Sequence, residues 1–183
     1  MVNIMNWLKR IPYPVVCLIL MMLYIPWCFL IRAIYIHYGI ECSQYVEVYA
    51  SGKIIQTDHA ILLELLFPLM EEMIGRWLPM LLLFAVLNPI MRKSDLHKDK
   101  YLKTERYALL VLVVLTSAVF GLLHGNVYNL LLQGVLGLNL IIIYLRALFI
   151  QRDRGLRSGL QLLPLGEAAL FHILQNMSWY LFE

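Results

Sequence analysis

The chain reads as an all-α protein, a polytopic membrane helix bundle of about five transmembrane helices, and three observations predict it. Of its 183 residues, 61% are hydrophobic, and the mean hydropathy is +0.72, well outside the composition of a soluble domain. The charged residues gather in short connectors and leave apolar runs between them. Those runs reach about 20 residues, the length that crosses a bilayer at about 1.5 Å per residue.

Taken in order, the first run is Tyr13–Ile36, preceded by Lys9 and Arg10. It is longer than the core of a signal peptide and has no A-x-A cleavage site, so it is expected to be a retained span. The second run, Ala60–Met91, is too long for one straight crossing and must tilt, kink at Pro68 or Pro79, or break. Three more follow at Tyr107–His124, Val127–Phe149 and Gly159–Phe182. The polar connectors are His37–His59, Arg92–Arg106, a tight turn near Gly125–Asn126, and Ile150–Ser158. On this reading residues 1–58 hold the first span and an outer loop, and 59–183 form the core.

Charge sorts the connectors. Lys9, Arg10, Arg92, Lys93, Lys98, Lys100, Lys103, Arg106, Arg152, Arg154 and Arg157 fall on one side, against Lys53 with Glu41, Glu47 and Asp58 on the other. The positive-inside rule then places the chain in the cell membrane as a multi-pass protein, N-terminus cytoplasmic and C-terminus outside. That arrangement needs an odd number of spans, which five satisfies. The basic residues are accounted for by the membrane rule, and nothing points to nucleic acid.

Small and aromatic residues have packing roles to expect. Gly121 and Gly125 form a small-x-x-x-small pair, and Gly134 and Gly137 suit close helix contact. Tyr13, Trp27, Tyr35, Tyr107, Trp179 and Tyr180 stand where interfacial anchors belong. Cys17, Cys28 and Cys42 have no metal-like spacing, and the first two read as small apolar residues.

The chemistry lies in the polar residues inside the spans. Glu71, Glu72 and Arg76 stand in the middle of the second run, where each charge costs roughly 2.5–3.5 kcal/mol on insertion scales. At about 100° per residue, Glu72 and Arg76 share a helical face and pair, while Glu71 points elsewhere and needs another partner. Phe120 and His124 share a face of the third span, as His172 and Asn176 do in the last. Singly, each of these has a packing explanation. Together, an unpaired Glu, two His and an Asn on three spans compose a hydrolytic set. A Glu and a His can share a water, take its proton and aim it at a carbonyl carbon. A second His and an Asn amide can stabilise the resulting oxyanion. Two His and a Glu are also the ligand type that suits zinc with an open position. A divalent metal held through Glu71, His124 and His172 and a metal-free mechanism therefore both remain open. H-E-x-x-H and G-x-S-x-G are absent.

In these residues the chain resembles the CAAX protease and bacteriocin-processing (CPBP, or Abi) family of intramembrane proteases. That family's signatures are E-E-x-x-x-R, F-x-x-x-H and H-x-x-x-N. They stand here as EEMIGR (Glu71, Glu72, Arg76), FGLLH (Phe120, His124) and HILQN (His172, Asn176), in the family's order and over about 106 residues. The resemblance implies an intramembrane endopeptidase acting on a membrane-associated peptide or protein, in CAAX-type or bacteriocin leader processing. It assigns water activation to Glu71 and His124, the oxyanion to His172 and Asn176, and support to Glu72, Arg76 and Phe120. The family is described as metalloprotease, and a metal-free glutamate mechanism has also been argued for its prenyl-protein members. The chain is shorter than the many-span CAAX endopeptidases, so helices shaping a prenyl cavity would be missing. Glu64 and Glu167 fall outside the signatures, the latter suited to a substrate contact or an interhelical bond, and His37, His59 and His97 read as solvated. The alternatives are a self-immunity or interaction protein acting without turnover, and an ion-coupled carrier, for which the lack of inverted repeats is poor support.

Overall fold

The computed structural model of the chain describes residues 7–40, 59–93, 98–125, 127–154 and 161–179, and every regular element in them is helical. The order is α1 (Tyr13–His37), α2 (His59–Glu72), a π turn (Met73–Trp77), α3 (Leu78–Lys93), α4 (Lys98–Leu123), α5 (Asn129–Asp153) and α6 (Leu162–Trp179). The connector with Glu41, Cys42, Glu47, Lys53 and Asp58 lies outside the described residues, as do His97, Asn126, Arg157 and Tyr180 and the side chains of His59, Glu64 and Trp179.

Three helices, Tyr13–His37, Lys103–Leu123 and Asn129–Asp153, are long and apolar enough to cross a membrane. The α2–π–α3 run is divided by its π turn, and α6 carries Glu167, His172, Gln175 and Asn176 within its 18 residues. Polarity also misled the connector expected at Arg92–Arg106. Helix α4 begins at Lys98, because Lys and Arg are good helix formers and charge alone does not end a helix.

Local chemistry explains the ends. Pro14 lies in the first turn of α1, where backbone N–H groups have no helical partner. At the other end Gly39 adopts φ +64°, the Ile40 N–H donates to the Tyr35 carbonyl, and the Gly39 N–H donates to that of Ile36. This is a Schellman stop. The π turn has a cause in Pro79, which has no N–H for the Gly75 carbonyl and crowds it with its ring. The turn ahead widens, and the Leu78 N–H reaches back five residues to the Met73 carbonyl. Pro68, by contrast, lies within an unbroken α2.

Helix α5 is the centre of the bundle. Leu140, Ile141, Ile143, Tyr144 and Ala147 are fully buried on several of its faces, and it packs against α1, α4 and α6. Outer faces of α1 and α4 expose Leu18, Met22, Leu23, Val111, Val114 and Leu115, an apolar surface suited to lipid. Glycine sets the α4–α5 distance. A Cβ on Gly121 would stand 2.9 Å from the Gly134 nitrogen and 3.0 Å from the Asn129 carbonyl oxygen. Gly121 thus meets Gly134 and the Asn129–Leu130 backbone, while Gly137 sits against Ser117 and Phe120 of α4. Gly125 is exposed with φ +127° and serves the turn, not the contact expected of it.

Three of the expected interfacial aromatics also tie helices together. The buried Tyr35 donates to the Tyr128 carbonyl at 2.8 Å, and Trp27 Nε1–H to that of Leu131 at 2.6 Å. Tyr13 likewise donates to the Glu167 carbonyl at 2.7 Å. At this end of the bundle Arg146 holds Glu167 at 2.8 Å and donates to the carbonyls of Leu8 and Ile11. Glu167 is therefore an interhelical bond. Lys9 pairs with Asp153 and Arg152 with Glu105 nearby, so the starts of α1, α4 and α6 gather with the end of α5. Cys17 and Cys28 are buried and free.

Candidate active site

The site is built where the π turn faces α4 and α6. Glu72 closes α2 and Arg76 lies in the π turn, both fully buried. Arg76 Nη1 donates to Glu72 Oε1 at 2.6 Å, the pairing that their spacing predicts. The guanidinium lies over the Phe120 ring, 4.3 Å from its centroid, a cation–π contact in a dry setting. It also packs against Gly137 of α5, where a Cβ would come within 3.3 Å of Arg76 Nη2 and of Phe120 Cβ. Glu72 Oε2 and Arg76 Nε and Nη2 are buried without a hydrogen-bond partner among the described residues.

Glu72 has a second donor that its spacing with Arg76 does not reveal. His172 of α6 is 3% exposed, and its Nδ1–H donates to Glu72 Oε1 at 3.0 Å. Its other nitrogen, Nε2, lies 3.6 Å from Glu71 Oε2, so Glu71 does have a neighbour, and its side chain remains 37% exposed. His124 follows the end of α4, half-buried, with its Nδ1–H donating to the Phe120 carbonyl at 2.6 Å. Asn129 donates to the His124 carbonyl and fixes the turn that carries it. Phe120 stacks with both imidazoles, at centroid distances of 4.4 Å to His124 and 5.7 Å to His172.

Glu71, Glu72, Arg76, Phe120, His124 and His172 are thus brought together from three parts of the chain, the α2–π run, the end of α4 and α6. Asn176 stands one turn beyond His172 on the same helix and is half-buried. Two participants were missing from the sequence reading. Gly137 was expected only to pack, and it makes the room that Arg76 occupies. Gln175 is fully buried beside His172 in sequence, and neither amide atom has a partner among the described residues. A glutamine one turn after the histidine of an apolar span was the available signal.

The arrangement supplies two imidazoles whose Nδ1–H groups are occupied and whose Nε2 atoms are acceptors when neutral. Beside them stands one carboxylate that is accessible and one that is not. Among the described residues, no group of three or more His, Cys, Asp or Glu is placed to hold a metal ion. Glu71, His124 and His172 therefore do not fit a three-ligand zinc centre as they stand. Comparison of the chain with protein-family models, with curated proteins and with solved structures gives no match.

Proposed function

We propose that the protein is an intramembrane endopeptidase of the CPBP kind, hydrolysing a peptide bond of a membrane-associated peptide or protein. The observation that supports it best is the convergence on one Phe120 ring of Arg76, His124 and His172, with Glu71 and Glu72 against the last imidazole. Packing alone gives no reason to gather two imidazoles and three charged groups in an apolar bundle, where each is costly. In the proposed reaction Glu71 takes the proton of the attacking water. The resemblance adds His124 on the water side and assigns the oxyanion to His172 and Asn176. Glu72, Arg76 and Phe120 hold the two imidazoles in place.

The same reading takes the α2–π–α3 run and α6 as two further spans, giving five. The basic end, with Lys9, Arg146 and Arg152, would then be cytoplasmic and the C-terminus outside. Purified protein in liposomes, offered leader-peptide and prenylated-peptide substrates, tests the activity. Glu71→Ala, His124→Ala and His172→Ala are each expected to slow cleavage by about 100-fold or more. Cleavage at the wild-type rate by all three would end the assignment and favour a self-immunity or interaction protein.

A further inference from the structure

From the hydrogen bonds around His172 we infer that Glu72 is a positioning residue that fixes one tautomer of this imidazole, and that His172 Nε2 shares the attacking water with Glu71. The inference rests on the peptidase reading and moves His172 from the oxyanion side of the reaction to the water side.

The argument begins with what each atom can do. A carboxylate only accepts, so the contact between His172 Nδ1 and Glu72 Oε1 at 3.0 Å places the proton on Nδ1. Arg76 Nη1 donates to the same oxygen at 2.6 Å, so Glu72 Oε1 serves both donors as their acceptor. All three groups are buried, and the ring cannot turn without breaking that bond. In the neutral imidazole Nε2 then carries a lone pair, and it lies 3.6 Å from Glu71 Oε2. A direct charge-assisted bond from an imidazolium to a carboxylate would be about 2.7–2.9 Å. Two ordinary donations from one water set its acceptors about 4.4 Å apart, so a slight opening of this 3.6 Å pair seats one water that donates a hydrogen to each.

Such a water has both protons directed and its oxygen lone pairs turned to the open side, where Glu71 is exposed. As its oxygen bonds to the carbonyl carbon, the π pair moves to the carbonyl oxygen and one proton passes to Glu71. When the C–N bond breaks, the pair returns to the carbonyl and Glu71 gives its proton to the leaving nitrogen. The remaining proton, on the new acid, passes to His172 Nε2 and then to the amine. Peptide and water become carboxylate and ammonium, and both side chains return to their starting states. Oxyanion donation falls to Asn176 and to no neutral imidazole.

Nitrogen-15 magnetic resonance of the imidazoles tests this without substrate. The chain has five histidines. Replacing His37, His59 and His97 by Gln leaves His124 and His172, and adding His124→Gln assigns the remaining signal. His172 is expected as the neutral Nδ1–H tautomer. An Nε2–H tautomer or a doubly protonated ring would overturn the inference. Two variants isolate Glu72 without stranding Arg76. Arg76→Met with Glu72→Gln keeps an acceptor for Nδ1–H and should keep the tautomer. Arg76→Met with Glu72→Leu should lose it and cleave about 10–100-fold more slowly than the Gln pair. Equal tautomers and rates in the two pairs would remove Glu72 from the role. Because the tautomer is read without turnover, its presence in a protein that cleaves no peptide would sink the peptidase reading and leave the positioning intact.

Discussion

Glu72 Oε1 receives two donors at once, Arg76 Nη1 and His172 Nδ1, and this one atom joins the π turn to α6. The pair with Arg76 is fully buried and single-pronged, with Glu72 Oε2 and two guanidinium nitrogens left over. In such a setting the ion pair contributes little net stability, and removing one partner costs far more than the pair is worth. Glu72→Gln should therefore destabilise the fold by about 3–5 kcal/mol, seen as a lower folded yield and melting temperature in detergent. The double variant Glu72→Gln with Arg76→Met should recover most of that loss, since it leaves no unpaired buried charge. A double variant as unstable as the single one would mean that His172, not Arg76, is what depends on the carboxylate. Spacing was enough to pair Glu72 with Arg76, because i, i+4 neighbours on a helix meet whatever surrounds them. The contact from His172 is separated by 100 residues, and no periodicity in the sequence reports it.

At the scale of elements, the boundaries follow from local chemistry, and the departures from expectation follow from contacts between helices. The second run was expected to tilt, kink or break, and it stays helical by widening one turn ahead of Pro79. That turn carries Arg76 and follows directly on Glu71 and Glu72, so the irregularity coincides with the site. The glycines show where a sequence reading stops. Close packing was legible in their number, whereas the partner of each depends on how α4 crosses α5. Gly121→Ala puts a methyl 2.9 Å from backbone that cannot yield, and should cost about 1–3 kcal/mol. Gly166→Ala in α6 meets nothing within 4 Å and should be neutral or stabilising by up to about 1 kcal/mol through helix propensity. Thermal melts of the two variants in one detergent check both, and a harmless Gly121→Ala would contradict the helix contact described here.

Across the whole molecule, α5 is the shared wall, and the bundle has a basic end and a site end. Arg146, Arg152 and Lys9 clasp the starts of α1, α4 and α6 at the first. His172 lies ten residues beyond Leu162, about 15 Å along α6 from that end. On the proposed topology, with the basic end cytoplasmic, the site would fall in the middle or outer half of the membrane and a substrate would approach it within the bilayer. Helices long and apolar enough to span were evident from composition alone. The α2–π–α3 run is divided by its π turn and α6 is short, and these two hold Glu71, Glu72, Arg76, His172 and Asn176. Cysteine labels in whole cells check the five-span arrangement. A label between 94 and 97 should be shielded from an impermeant reagent outside, and one between 41 and 58 should react.

The most direct measurement is hydrolysis in oxygen-18 water by liposome-embedded wild type and Glu71→Gln matched for folded yield, with peptide fragments read by mass spectrometry. The wild type should release fragments whose new carboxyl carries one heavy oxygen, and Glu71→Gln should release about 100-fold fewer. Labelled fragments from both proteins at the same rate would contradict the account, because hydrolysis would then proceed without the carboxylate on which the proposed site depends.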